Sequence, residues 1–335
     1  MRIAIVKLSA LGDIIHAMVV LQFIKKFNKE ISIDWFVEEQ YKGLLEIHPH
    51  IDKVHLVNLQ KAKKKKSILV LLKEFDKLRH LGLYDLVIDM QGLLKSAIIS
   101  KILPSKQIIG FDKFSTREKL ASNFYNKKFN LSYEINVIER NFELLKFALD
   151  LSFHKREIHS KLPFLFSADH YEFKELSNLQ KNIVLVPGAS HQSKRYPAKK
   201  FAELSKSIDA NFLVIWGSEE ERLLADEIKL LSPKITILQK LSIDALISLI
   251  NQVDLLIGPD TGPTHIAWGL NKPSISLFGA TPGYRNAFET KTNKIIESES
   301  EVDPYNINKK DFSISSIDVD HIAQVAMSLL NKKLQ

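Results

Sequence analysis

Val253-Asp254-Leu255-Leu256-Ile257-Gly258-Pro259-Asp260-Thr261-Gly262-Pro263-Thr264-His265 carries an apolar run straight into a polar turn. The run reads as a buried strand and the turn as the start of a helix. A helix N-terminus offers free backbone N–H groups and the positive end of a dipole, which suits a phosphate. Thr261 and Gly262 would present such groups, and Gly262 would let a ligand approach the backbone. The same residues also suit a plain helix cap, with Asp260 or Thr261 at the N-cap and Pro263 in the first helical turn.

Working outward, the strand-then-helix alternation repeats along the chain. In the first half, strands are predicted at 2–7, 31–37, 53–57, 85–90 and 107–111. Helices are predicted at 14–27 and 67–81, with another starting near Gly92. The segment 112–170 reads as mainly helical, above all 135–149. Alternation then restarts, with strands at 182–186, 211–216, 235–238, 253–257 and 274–278. Helices fall at 197–208, 219–231, 242–250 and 263–270, and a last one at 318–330. This pattern implies an α/β protein of two Rossmann-like, doubly wound domains facing a central cleft at the carboxyl ends of their sheets. The expected domains are 1–165 and 175–315, followed by a C-terminal helix in 316–335 that packs back on the N-terminal domain. A chain of 335 residues is long enough for two cores.

Composition narrows the classes. No apolar run approaches the length of a membrane span. Lys7 and Asp13 interrupt what would be the apolar core of a signal peptide. The absence of cysteine excludes disulfides and thiolate metal sites, and fits a cytoplasmic location. The formal charge of +8 favours an anionic partner: nucleotide, nucleic acid or membrane surface. There is no Gly-x-Gly-x-x-Gly after the first strand, no P-loop and no Gly-x-Ser-x-Gly elbow, which removes the main support for dinucleotide oxidoreductases, P-loop ATPases and α/β-hydrolases.

Several turns carry chemistry-bearing residues. Lys7-Leu8-Ser9-Ala10-Leu11-Gly12-Asp13 puts a carboxylate at the mouth of the first helix, where it could take a proton from an incoming hydroxyl or simply cap the helix. His16 lies one turn on, as an alternative base or a structural histidine. Ser190 and Lys194 follow the strand ending Val186-Pro187-Gly188, where donors and a cation suit a diphosphate. Glu219 and Glu220 follow Trp216-Gly217-Ser218 and could hold a ribose diol or serve as dipole partners. The run Lys61-Ala62-Lys63-Lys64-Lys65-Lys66 reads as a solvated loop or as a receiver of anionic lipid headgroups. It lacks aromatic interleaving, so nucleic acid is not expected. Asp318-Val319-Asp320-His321 imitates a metal motif but reads as a helix start, and no metal is assigned.

Together these residues resemble the bacterial lipopolysaccharide heptosyltransferases, inverting glycosyltransferases of the GT-B fold. The resemblance rests on residues 7–13, on Asp89-Met90-Gln91-Gly92-Leu93-Leu94-Lys95-Ser96, on Thr116-Arg117-Glu118 with Leu120-Ala121-Ser122 and Phe124-Tyr125-Asn126, on the Lys194 loop, and on Asp260-Thr261-Gly262 with His265. The Gln91 and Arg117 segments look most like the branch that adds the first heptose to Kdo-lipid A. The resemblance implies an ADP-L-glycero-D-manno-heptose donor, no metal cofactor, and a monomer on the cytoplasmic face of the inner membrane. It implies donor contacts from Ser190, Lys194, Glu219 or Glu220, Leu241 near adenine, Asp260, Thr261, Gly262 and His265. It makes Asp13 the base, and gives Lys61, Lys64, Gln91 and Arg117 to the anionic acceptor. Alternatives are a transferase acting on an already heptosylated core, a nucleotide-sugar epimerase, and a non-catalytic anionic-lipid binding protein.

Overall fold

The structure is a computed structural model that describes residues 1–59 and 67–331. The chain divides into two compact units, Met1–Phe164 and Leu165–Gln335.

The first unit runs β1 (Arg2–Val6), α1 (Leu11–Met18), α2 (Val20–Phe27), β2 (Ser32–Glu38), β3 (Lys53–Val57), α3 (Ile68–Arg79), β4 (Leu86–Asp89), α4 (Leu94–Ile102), β5 (Ile108–Phe111), β6 (Lys127–Phe129) and α5 (Val137–Leu149). Its sheet has the order β3-β2-β1-β4-β5-β6. Each pairing is parallel. Central strands buried on both faces read as continuous apolar runs, and Ile3, Ala4, Ile5 and Val6 are fully buried. The chain winds outward through β2 and β3 on one side of β1, then returns to β4 and leaves on the other side. The topological switch point therefore lies at the carboxyl ends of β1 and β4, which the Val6–Asp89 register brings side by side.

The second unit repeats the plan. It runs β7 (Asn182–Leu185), α6 (Ala198–Ser207), β8 (Asn211–Val214), α7 (Glu219–Leu231), β9 (Thr236–Ile237), α8 (Ile243–Gln252), β10 (Leu255–Pro259), α9 (Gly262–Gly269), β11 (Ser274–Phe278), α10 (Gly283–Asn286), β12 (Asn293–Glu297) and α11 (Val319–Asn331). The sheet order is β12-β11-β10-β7-β8-β9, again with every pairing parallel. Its switch point lies at the ends of β7 and β10, where Leu185 pairs with Ile257.

Two sequence expectations need correction. The helix expected at 14–27 begins at Leu11 and is divided at Val19 into α1 and α2. Strands β6 and β12 were not anticipated; each is the edge of its sheet and has only a short apolar signal. The last helix, α11, belongs to the second unit. Its stripe of Ile322, Ala323, Ala326 and Leu329 sits in the core of the second unit. Spacing of three and four residues places that stripe on one face. Tyr196 Oη and Lys200 Nζ pin the approach to α11 by donating to the Ile317 carbonyl at 2.9 and 2.8 Å.

Candidate active site

At the first switch point, the loop from β1 to α1 is held by Gln91 from the end of β4. Gln91 Oε1 accepts from Leu8 N at 2.7 Å and from Ser9 N at 3.3 Å, while Nε2 donates to the Ser9 carbonyl at 2.9 Å. Lys95 Nζ, on α4, donates to Ser9 Oγ at 2.7 Å. Lys7 Nζ, buried, donates to the Met90 carbonyl at 2.9 Å. Gln91 thus acts as a brace for the loop rather than as a side chain projecting from it.

Asp13 is carried on this braced loop, in the first turn of α1. Its carboxylate is exposed and accepts from Ala10 N at 3.3 Å. The capping reading is therefore fulfilled, and the carboxylate still faces solvent. Burial raises the nearby Tyr41 phenol; Gln40 opposes that rise, and the Glu38 and Asp13 carboxylates add to it. His16 is buried within α1, as the structural alternative required.

The end of β4 is itself locked. Asp89 is fully buried and accepts from Gln91 N at 2.9 Å, Gly92 N at 3.1 Å and Tyr125 Oη at 2.8 Å. Burial raises its carboxyl above the usual range. Gly92 turns with φ of +67°, a backbone conformation other residues rarely adopt. Thr116 Oγ1 donates to the Gly92 carbonyl, and Glu118 Oε2 accepts from Leu94 N at 2.6 Å. These two anchors leave Arg117, between them, exposed. Lys61 and Lys64 lie outside the described residues.

At the second switch point the polar groups converge. Asp260 Oδ2 lies 2.7 Å from Lys194 Nζ and accepts from Thr281 Oγ1 at 3.2 Å. Asp260 Oδ1 lies 3.1 Å from His265 Nε2. Asp260, His265 and Thr281 are buried, and Lys194 is half-buried. Burial disfavours the Asp260 carboxylate, but Lys194 and His265 override it and hold the carboxyl well below the usual range. Thr281, in the loop just after β11, carries no distinguishing signal in the sequence, because a lone threonine after a strand is ordinary.

Helix α9 starts beside this network. Thr261 is its N-cap residue, with extended backbone and no side-chain hydrogen bond to the helix. Thr264 Oγ1 accepts from Thr261 N at 3.3 Å and donates to the Thr261 carbonyl at 2.6 Å. Asp260 is turned toward Lys194 and Thr281, so its carboxylate ties the α9 turn to the loop after β7 and to the end of β11. Gly262 opens the helix, partly exposed.

The remaining donor candidates are distributed around the same carboxyl edge. Ser190 is exposed. Of the three glutamates opening α7, Glu220 pairs with Arg195 at 2.6 Å and Glu221 accepts from Gly217 N at 2.7 Å. Glu221 also packs against Gly188 so closely that a Cβ there would overlap it. Glu219 is exposed. Leu241 lines a cavity of about 670 Å³ with Phe173, Lys174, Leu238 and Gln239. Among the described residues, no group of three or more His, Asp or Glu is placed to hold a metal ion. No described helix is long and apolar enough to cross a membrane.

The family model described as glycosyltransferase family 9 (heptosyltransferase) matches residues 75–310. The chain is 42% identical to lipopolysaccharide heptosyltransferase 1 of Campylobacter coli, across 98% of this chain and 99% of that protein. It is 28% identical to lipopolysaccharide heptosyltransferase 1 of Pseudomonas aeruginosa, across 86% of this chain and 81% of that protein. Its fold is similar to the solved structure of E. coli heptosyltransferase WaaC with ADP, with a TM-score of 0.78 at 22% identity, over 98% of this chain and 100% of that one.

Proposed function

This chain belongs to glycosyltransferase family 9 and is an enzyme that transfers heptose; on that premise we propose that it moves L-glycero-D-manno-heptose from ADP-heptose to a Kdo residue of Kdo-lipid A. The relatives named as type 1 lipopolysaccharide heptosyltransferases support the choice of acceptor branch. The observation that carries the chemical reading is the Lys194–Asp260–His265 cluster beside the start of α9.

The donor diphosphate lies at the α9 N-terminus, where the Thr261 and Gly262 turn and Lys194 meet its growing negative charge. Lys194 is already oriented by Asp260 and needs little reorganisation. Asp260 and His265 shape the sugar end of the site. Ser190 donates to phosphate, Glu219 takes the ribose hydroxyls, and adenine lies by Leu241. Glu220 is engaged by Arg195, which favours Glu219 for the ribose.

The exposed Asp13 carboxylate accepts the proton of the acceptor hydroxyl. The hydroxyl oxygen bonds to the anomeric carbon as the bond to the diphosphate oxygen breaks, and the electron pair leaves with ADP. One displacement through an oxocarbenium-like state inverts the anomeric centre. Positive charge from Lys194 and the helix dipole stabilises the leaving group, so the proposed route is metal-independent. Arg117, with Lys61 and Lys64, receives the acceptor's carboxylates and phosphates, and the enzyme works as a monomer on the cytoplasmic face of the inner membrane.

The test is to supply ADP-heptose with Kdo-lipid A, and separately with heptosylated core, and to measure ADP release. Release with Kdo-lipid A alone is the expected result. Release only with the heptosylated core would overturn the acceptor assignment, and turnover of donor without acceptor would point to an epimerase.

A further inference from the structure

The side chain of Gln91, just past the end of β4, is fully engaged by the loop that carries Asp13. A glutamine amide offers two lone pairs on its oxygen and two N–H donors on its nitrogen. Gln91 Oε1 accepts from Leu8 N at 2.7 Å and from Ser9 N at 3.3 Å. Its Nε2 donates to the Ser9 carbonyl at 2.9 Å and to Ser9 Oγ at 3.3 Å. Each hydrogen-bonding position of the amide is thus taken up by two consecutive residues of the loop between β1 and α1. The pattern also fixes which way the amide faces, because a flipped side chain would set its NH₂ group against two backbone N–H donors.

The Ser9 carbonyl is one end of a planar peptide group whose other end is the Ala10 N–H. That N–H donates to Asp13 Oδ2 at 3.3 Å. The Ala10 carbonyl accepts from Ile14 N at 2.9 Å and so closes the first turn of α1. One rigid plane therefore has Gln91 on its oxygen and the Asp13 carboxylate on its nitrogen. Tilting that plane would turn the N–H group that aims the carboxylate.

Gln91 is in turn fixed from the strand end. Its backbone N donates to the buried Asp89 carboxylate at 2.9 Å, and Tyr125 Oη donates to the same carboxylate at 2.8 Å. The Tyr125 ring lies so close to Gly110 of β5 that a Cβ there would overlap it. From α4, Lys95 Nζ donates to Ser9 Oγ at 2.7 Å and stands 3.9 Å from the buried Glu38 carboxylate. Ser9 is held by these two side chains, while Asp13 itself stays exposed.

We propose that Gln91 is a positioning residue for the base: it orients the Asp13 carboxylate through the Ser9–Ala10 peptide and makes no contact with the acceptor. The resemblance gave Gln91 to the anionic acceptor, whereas its fully engaged amide gives it to the loop. Proton transfer needs the base within hydrogen-bond reach of the acceptor hydroxyl, and a displacement of about 1 Å can slow such a step about a hundredfold. This role rests on the reading of Asp13 as the base.

The test compares two variants of the full chain. Gln91→Met fills the space without hydrogen bonds, and Gln91→Glu keeps an accepting oxygen while adding negative charge close to Asp13. Gln91→Met should lower kcat about tenfold to a hundredfold and leave the acceptor KM unchanged. In the same variant the Leu8 and Ser9 amides should exchange with deuterium faster than in the wild type. Gln91→Glu should move the acid limb of the kcat–pH profile to higher pH without raising the acceptor KM, because a second carboxylate nearby disfavours ionisation of Asp13. This variant carries the test alone should Gln91→Met fail to fold. An acceptor contact would give the opposite split, since Gln91→Glu would repel an anionic acceptor: a raised acceptor KM, with kcat and its acid limb unmoved. That result overturns the proposal, as does faster exchange in Gln91→Met at wild-type kcat. The two failures are distinguishable. Transfer retained by Asp13→Ala removes the base reading, whereas an inactive Asp13→Ala with wild-type kcat in Gln91→Met removes the positioning role alone.

Discussion

The two switch points use carboxylates in opposite ways. Asp13 is exposed and bonded to the backbone of its own helix. Asp260 is buried and bonded to Lys194, Thr281 and His265. The two switch points thus yield a carboxylate open to accept a proton after β1 and a carboxylate fixed as an anion after β10. Burial and cationic partners decide the difference, because an anion paired in a dry site has little affinity for a proton.

The largest effect should come from breaking the open side. Asp13→Ala should lower kcat by about 10²–10⁴ while ADP binding, followed by calorimetry, is retained. Substantial residual transfer would remove Asp13 from its role as base. On the closed side, Lys194→Met should lower kcat by about 10²–10³. It should also destabilise the protein by about 3–5 kcal/mol, because Asp260 loses the cation that compensates its burial. A variant with wild-type melting and reduced kcat would show that the pair is catalytic without being structural.

The pH dependence sharpens the contrast. The folded Asp260 carboxyl titrates below its unfolded value, so its stabilisation is present above the ordinary carboxylate range. It is lost as pH falls through the folded value. Asp260→Asn should therefore melt at lower temperature near neutrality and show a flatter acid limb in thermal unfolding. Equal acid limbs in variant and wild type would sink this account. The smallest effect separates the two glutamates: Glu219→Gln should raise the donor KM about fivefold, as loss of a ribose hydrogen bond would. Glu220→Gln should leave donor KM nearly unchanged, because Glu220 already serves Arg195. The reverse pattern would exchange their roles.

Much of this was legible from local pattern. The buried strands β1, β4, β7 and β10 are continuous apolar runs, and the turns after them carry the polar residues. The edge strands were not legible. β6 is Lys127-Lys128-Phe129, and only pairing with β5 makes it a strand. The start of α1 was hidden because Gly12 lowers helix propensity, while Asp13 reaches back to Ala10 and supports the turn. Gln91 and Thr281 show the same limit. Their side-chain types suited a ligand, a brace or nothing, and only their neighbours in space choose.

The sequence by itself determined the α/β class, the two repeating halves and the set of turns at the carboxyl ends of the strands. Hydrophobic period and turn chemistry are local, so they can be read along the chain. The tertiary structure decided what the polar residues in those turns do. Lys194 meets Asp260, Gln91 holds Ser9, Tyr125 meets Asp89, and α11 enters the core of the second unit. Each partner lies far away in sequence, and hydrogen bonding, burial and charge pairing depend on distance in space.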